Sequence, residues 1–346
     1  MRIKEPSAKQ GTGNIGVSFF ICLCLLGGRV LAADTIKDGF YNDYDAKGSV
    51  VRTVEYRYGV PNGRFRTFYP DGRLMGWGGY SNGKLEGMAQ GYYPSGVLRF
   101  KSFYSDGQLH GVSTLYYADG HPKAEITYIQ GVQDGVAREY DENGRPIFEH
   151  QFVWGKEQGF EKEFYPNGQV KRELQYKDGR QTGMMREYYE DGSLRGVFQS
   201  LDGKKNGPAQ EYYKSGELMR EGTYKNDQLG GEVTTYYLNG RLLSKVHYDN
   251  GVLNDDHWRE YYESGALHNE ARVHNGKQEG EVKEFYPDGH LKTEGLYKAG
   301  RREGVFNIYR VEGWLWYKEF FVRDQLTKRR EYDAQGHLVM EQVFYN

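Results

Sequence analysis

The segment GGYSNGKLEGMAQGYYPSGVLRF at residues 78–100 contains the unit from which most of the chain is built. In it, two adjacent rings, Tyr92 and Tyr93, precede Gly96 by four and three positions. The same glycine returns at intervals of 24 residues, apart from one interval of 25 and one of 23. The anchor glycines are Gly48, Gly72, Gly96, Gly120, Gly144, Gly168, Gly192, Gly216, Gly240, Gly265, Gly289, Gly313 and Gly336. A fixed period of this length indicates a repeat architecture.

Each unit predicts a β-hairpin. An aromatic ring lies four residues before every anchor glycine, and Leu or Val lies two residues after it in eleven of thirteen units. These side chains favour strands, whereas glycine enters left-handed turns without steric cost. Turn residues such as Pro70-Asp71-Gly72 predict the hairpin tip. We therefore predict an all-β, elongated, single-domain array of about twelve antiparallel β-hairpins in 24-residue units, occupying residues 33–346.

The composition supports a folded, strand-rich protein. The 346 residues include 47 Gly and 31 Tyr, and the aromatic fraction of 15% accompanies a mean hydropathy of −0.83. Disordered chains are poor in aromatic residues, so disorder is not expected. The chain has 46 Lys and Arg against 48 Asp and Glu. This balance argues against nucleic acid and anionic lipid as partners.

Residues 1–32 predict a secretory signal peptide. Arg2 and Lys4 precede an apolar run at 15–28, and small residues follow, with cleavage expected near Ala32. A membrane span needs about 20 apolar residues, so stable membrane insertion is not expected after cleavage, although retention as an anchor stays an alternative. Both cysteines lie inside the apolar run, so the mature chain would contain none. The protein is expected to be exported, either periplasmic or secreted.

The units at 78–100 and 174–194 resemble the MORN repeat in its bacterial variant form, and the resemblance extends over residues 44–346. It implies rows of antiparallel β-hairpins. It also implies binding, scaffolding or dimerisation, with lipid contact in some members, and no single chemistry. Many bacterial relatives of this variant carry an antitoxin label, which implies an inhibitor of a partner toxin as one alternative function. With an export signal, such a toxin would have to act in the cell envelope.

The sequence predicts no enzyme. It contains no GxSxG, GxxxxGK[ST] or HExxH motif, and its nine histidines are scattered without metal-ligand spacing, as expected for solvated surface residues. Asp255, Asp256 and His257 form the densest group, but successive side chains of a strand point to opposite faces. We predict no catalytic residue, no metal site and no cofactor. Paired carboxylates of a glycoside hydrolase stay an open alternative, because Glu is abundant on the strands.

The rings three residues before the anchor glycines form the candidate binding surface. Rings at a fixed position are typical of a core, so we assign the column four residues before the glycine to packing. The adjacent column is predicted on the opposite face, where exposed rings could stack on sugars or anchor a protein. It comprises Tyr69, Tyr93, Tyr117, Tyr165, Tyr189, Tyr213, Tyr237, Tyr262 and Tyr286.

These features favour an exported, non-enzymatic scaffold that mediates protein–protein interaction. The alternative is a carbohydrate-binding or cell-wall-binding module, because such repeats also place aromatic pairs before glycine turns. Those repeats usually use Trp, whereas the five Trp of this chain fall outside the motif. The strand predicted at 337–346 has no cap after it, so we expect homo-oligomerisation or partner docking there by strand addition.

Overall fold

A computed structural model describes residues 36–345, so the predicted signal peptide at 1–32 lies outside the described residues. These residues form 31 strands of an antiparallel sheet, and the predicted all-β array of hairpins is confirmed. None of their elements is a helix long and apolar enough to cross a membrane. By their contacts they divide into two compact units: the residues up to Val97 with Tyr104–Gly107, and Leu98–Phe103 with Gln108 onward.

The strands follow one another along the chain with short connections. The first unit contains β1 (Gly39–Tyr44), β2 (Val50–Arg57), β3 (Val60–Phe68), β4 (Leu74–Ser81), β5 (Lys84–Leu85) and β6 (Gly87–Tyr92). Strand β7 (Leu98–Ser105) is divided between the units. The second unit contains β8 (Gln108–Leu109), β9 (Gly111–Tyr116), β10 (Pro122–Ile129), β11 (Val132–Tyr140), β12 (Pro146–Val153), β13 (Lys156–Glu157), β14 (Gly159–Phe164), β15 (Val170–Lys177), β16 (Arg180–Tyr188), β17 (Leu194–Leu201), β18 (Lys204–Tyr212), β19 (Leu218–Lys225), β20 (Gln228–Tyr236), β21 (Leu242–Asp249), β22 (Val252–Leu253), β23 (Asp255–Tyr261), β24 (Leu267–His274), β25 (Lys277–Gln278), β26 (Gly280–Phe285), β27 (Leu291–Lys298), β28 (Arg301–Tyr309), β29 (Leu315–Val322), β30 (Gln325–Tyr332) and β31 (Leu338–Val343).

Two kinds of turn alternate along the chain. At the predicted tip, the Gly72 N–H donates to the Tyr69 carbonyl at 2.8 Å, and Gly72 has a φ of +83°, which favours glycine. The second connection is a two-residue turn at Asn82–Gly83, where both residues have positive φ. A turn of this kind matches the right-handed twist of the strands that it joins. The glycine pattern therefore encodes both ends of most hairpins, whereas the turns at Asn226–Asp227 and Arg323–Asp324 have positive φ without a glycine.

Many of the deepest side chains occupy two positions of the repeat, seven residues before and six residues after the anchor glycine. We call this set the inner row; its buried apolar members are Val54, Phe65, Ala89, Ile126, Ala137, Leu174, Met185, Phe198, Ala209, Val233, Val246, Ala271 and Phe306. Strand register places these positions directly opposite each other, as in Leu174 with Met185 and Phe198 with Ala209. The row therefore runs across the strands on one face of the sheet.

The aromatic column assigned to packing is not the deepest position. From Phe68 to Tyr332, the rings four residues before the anchor glycines are half-buried, and Tyr44 is exposed. Several of their hydroxyls bond to carboxylates, such as Tyr140 to Glu125 at 3.0 Å and Tyr188 to Glu173 at 2.9 Å. These rings thus stabilise the polar face. The core is formed by the inner row together with buried rings eight residues after the anchor glycines, such as Tyr176 and Phe321.

Candidate interaction surfaces

The nine predicted binding tyrosines lie in the turns that contain the anchor glycines, and all are half-buried. In eight of them the hydroxyl donates to a backbone carbonyl 23 or 24 residues later, over 2.7–2.9 Å. Tyr189, for example, donates to the carbonyl of Tyr212 at 2.8 Å. Tyr93 also has an interaction partner. The column therefore ties each turn to the equivalent turn of the following repeat, a role that the sequence pattern did not reveal.

Cations lie near several of these rings. Arg195 is 5.9 Å from the centre of the Tyr189 ring, and Lys123 is 5.5 Å from that of Tyr117. Such contacts contribute about 0.5–1 kcal/mol at exposed sites. The hydroxyls are thus engaged in the fold, and only the half-exposed ring surfaces stay available to a partner. The assignment of this column to binding stays a prediction.

We expect Tyr189→Phe to lower the free energy of unfolding by about 0.5–1.5 kcal/mol, because it removes the hydroxyl that bonds to the Tyr212 carbonyl. Chemical denaturation of both proteins measures the difference. Tyr345→Phe is the control, since Tyr345 is 91% exposed and should change little. Equal stability of Tyr189→Phe and the parent would show that the hydroxyl bond contributes nothing.

In the second compact unit, the face of the sheet opposite the inner row carries a row of charges of alternating sign. Strand register aligns six residues of alternating sign, Glu125, Arg138, Glu149, Lys162, Glu173 and Arg186. Arg138 and Glu149 approach to 2.9 Å, and Arg186 and Glu173 to 3.3 Å. Half-exposed pairs of this kind contribute about 0–1 kcal/mol each. Because neighbouring charges cancel, this row has no net sign with which to attract a charged ligand.

Strand β31 presents the most exposed apolar side chains together in the described part of the chain. All six of its residues are exposed, with Val339 at 62%, and Tyr345 just beyond it is 91% exposed. One edge of the strand pairs with β30. Within residues 36–345, no strand pairs with its other edge. This edge is the second candidate interaction surface.

Acidic residues in and near the turns accept hydrogen bonds from the backbone. Asp191 accepts hydrogen bonds from the Ser193 hydroxyl at 2.6 Å and the Ser193 N–H at 3.0 Å. These bonds, with Lys214 nearby, lower the pKa of Asp191 to about 2. Asp255, from the densest acidic group in the sequence, accepts the backbone N–H groups of His247 and His257. The Asp255 carboxylate thus accepts hydrogen bonds from the backbone of β21 and of its own strand, β23.

The histidines are not all solvated, which corrects the expectation from sequence. His150 is only 8% exposed and belongs to the inner row, six residues after Gly144. Its Nδ1 lies 2.9 Å from Glu157 and 3.6 Å from Glu161. Scattered spacing in the sequence gave no signal for this cluster, because the cross-strand register brings its members together.

Comparison with known proteins gives the following matches. A family profile described as MORN repeat variant matches residues 85–106, 109–130, 133–153, 158–178, 205–226, 229–250 and 278–299. Among curated proteins there is no match.

Three solved structures similar to this chain share at most 14% sequence identity with it. The crystal structure of TcdB2-TccC3 is 14% identical over 88% of this chain and 17% of that chain, with a TM-score of 0.19. The TcdB2-TccC3-Cdc42 crystal structure is 14% identical over 87% of this chain and 20% of that chain, with a TM-score of 0.18. The structure of the Photorhabdus luminescens Tc holotoxin pore is 13% identical over 88% of this chain and 18% of that chain, with a TM-score of 0.17. This chain thus spans at most a fifth of the length of these three.

Proposed function

Because this chain is a MORN repeat protein, with repeat-variant matches from residue 85 to residue 299, we propose that it is a non-enzymatic scaffold that binds a second protein. A repeat array offers a long, regular surface, and each repeat is stabilised by its neighbours. The scaffold works outside the cytoplasm, in the periplasm or after secretion, as residues 1–32 suggest. The observation that carries the proposal is the exposed apolar strand β31.

The backbone of β31 is suited to strand addition. The Phe344 N–H donates to the Thr327 carbonyl of β30 at 2.9 Å. Backbone groups of successive residues in an antiparallel strand point to opposite edges, so the N–H and C=O groups of Val343 and Glu341 point away from β30. The apolar side chains of Val339, Met340 and Val343 accompany them. A partner strand would satisfy the backbone groups and cover these side chains, and a second copy of this chain is one such partner.

We expect Val343→Pro to abolish partner capture while leaving the fold intact. Proline removes only an N–H that points away from β30, a position where edge strands tolerate it. The experiment is in-cell crosslinking of the tagged full-length protein, followed by mass spectrometry of the captured protein and of the N-terminus of the chain itself. Val343→Thr is the matched control, since it keeps the N–H and the strand propensity. Light scattering of the purified proteins distinguishes a second copy from a different partner.

Each outcome has a defined meaning. A stoichiometric protein partner, lost in Val343→Pro and kept in Val343→Thr, together with an N-terminus near Ala33, supports an exported scaffold that docks through β31. A captured toxin would specify the antitoxin-like alternative. Equal capture by a folded Val343→Pro variant would refute β31 as the docking edge. No protein partner, with the chain retained on cell-wall material, would favour the carbohydrate-binding alternative.

A further inference from the structure

One pair of inner-row positions differs in chemistry from the apolar pairs that follow it. His150 on β12 lies opposite Glu161 on β14, because the preceding partners are Glu149 with Lys162. His150 and Glu161 are 8% and 6% exposed. In the next two repeats the matching positions hold Leu174 with Met185 and Phe198 with Ala209. The sequence thus places an imidazole and a carboxylate where the next two repeats bury apolar groups.

Three potential ligand atoms converge at this point. His150 Nδ1 is 2.9 Å from Glu157 Oε1 and 3.6 Å from Glu161 Oε2, and the donor atoms of all three residues lie within 4.8 Å of one another. Among the described residues, they form the one group of three such side chains with this geometry. Two buried atoms, His150 Nε2 and Glu161 Oε2, have no hydrogen-bond partner. Buried polar groups in folded proteins are almost always satisfied, so these atoms indicate a missing partner.

The surrounding charges favour a cation. Glu139 on β11 adds a third carboxylate, whose Oε1 is 3.9 Å from His150 Nε2. On β15, Tyr176 and the positive charge of Arg172 both lower the pKa of Glu161, but burial outweighs them. Arg172, however, is paired with Glu163 at 2.9 Å. Negative charge therefore exceeds positive charge around a buried imidazole, an arrangement that a bound cation or extra protons must compensate.

We propose that His150, Glu157 and Glu161 bind a divalent transition-metal cation of the Zn²⁺ type. Imidazole nitrogen and carboxylate oxygen are ligands that such ions accept, and three protein ligands leave one position of a tetrahedron open. Ligand bonds of about 2.0–2.2 Å place tetrahedral donors roughly 3.3–3.6 Å apart. The separations of His150 Nδ1 from Glu157 and Glu161, 2.9 and 3.6 Å, need only small side-chain shifts to match.

The second ring nitrogen of His150 is placed for a supporting role. Histidines that bind metal through one ring nitrogen usually donate the other N–H to a carboxylate. With Nδ1 on the metal, Nε2 faces the Glu139 carboxylate at 3.9 Å, so a side-chain shift of about 1 Å would form that hydrogen bond. The metal would link β12, β13 and β14, and its open position could accept a water molecule or a donor from a partner protein.

Protons compete with the metal for the same atoms. Metal ligands must be deprotonated, so acid weakens binding. Burial opposes protonation of His150, but its hydrogen bond with Glu157 and the charges of Glu161, Glu157 and Glu139 outweigh burial and raise the His150 pKa. Burial also raises the pKa of Glu161.

The test is calorimetric titration of the tag-free, chelator-treated full chain with ZnCl₂ at pH 7.5. We expect saturable binding of one ion per chain and a rise in the thermal unfolding midpoint. His150→Phe, Glu161→Met and Glu157→Gln should each weaken binding by at least about tenfold, because each removes a ligand. His121→Phe is the control, since His121 lies exposed in a turn beside Asp119. Parallel titrations with Mn²⁺ and Ca²⁺ test the preference for a transition metal.

Circular dichroism establishes which variants are folded. Glu161→Met introduces the residue that the next repeat carries at this position, and Glu157→Gln changes a partly exposed side chain, so at least one of them provides a folded comparison. Absence of saturable Zn²⁺ binding to the parent protein would overturn the proposal. Unchanged affinity in folded Glu161→Met or Glu157→Gln would overturn it as well. Tighter binding of Ca²⁺ than of Zn²⁺ would refute the assignment to a transition metal.

Discussion

Phe306→Ala should lower the free energy of unfolding by about 3–5 kcal/mol. Phe306 is 6% exposed and makes edge-to-face contacts with Tyr297 at 5.6 Å and Phe321 at 5.2 Å between ring centres. Its ring also fills the space above Gly295, where an added Cβ would overlap it. The substitution leaves a cavity that neighbouring strands cannot close. Because each repeat is stabilised by its neighbours, amide hydrogen exchange should show loss of protection centred on β27–β29.

A double-mutant cycle tests whether the ring and the glycine are complementary. Gly295→Ala alone should destabilise by about 1–3 kcal/mol through overpacking, and most of this cost should disappear in the Phe306→Ala background. Gly230→Ala is the matched control, because Gly230 also lies inside a strand and its Cβ would meet nothing within 4 Å. Additive effects of Gly295→Ala and Phe306→Ala would contradict this packing.

Glu161→Met should stabilise the metal-free protein at pH 8 by about 1–3 kcal/mol, because it removes a buried carboxylate whose Oε2 has no hydrogen-bond partner. The next repeat carries Met185 at the same position of the inner row, where it is buried beside Leu174. Urea denaturation in the presence of a chelator measures the gain. Glu281→Met on an exposed strand position is the control and should stay within about 0.5 kcal/mol of the parent. Lower stability of Glu161→Met at pH 8 would contradict the prediction.

The same cluster gives the parent protein a defined pH dependence. Burial raises the pKa of Glu161 above its ordinary 4.5, so the folded state resists its ionisation and loses stability as pH rises above that value. The raised pKa of His150 stabilises the folded state below pH 6.5, and this contribution is lost as pH rises through the folded pKa. Both effects lower stability as the pH rises, that of Glu161 from about pH 4.5 upward and that of His150 from about pH 6.5 upward. Glu161→Met should therefore show a flatter profile, since it removes the carboxylate and one negative neighbour of His150.

The repeats could be predicted from sequence because their signals are local. A glycine such as Gly72 has a left-handed conformation within its own turn, and strand-forming residues follow it in a fixed pattern. The tyrosine column was located by its spacing. Its hydroxyl bonds were not, because the acceptor of Tyr189 is a carbonyl 23 residues later in the next repeat, and no residue type marks a carbonyl.

By itself, the sequence determined the period, the turns, the antiparallel hairpins and the family, because each depends on residues close together in the chain. The tertiary structure alone decided which positions form the inner row and that His150 meets Glu157 and Glu161 there. Burial and cross-strand contact depend on the register between strands and on the face that each side chain occupies. A shift of one residue exchanges the two faces of a strand, so such contacts are fixed only when the whole sheet is assembled.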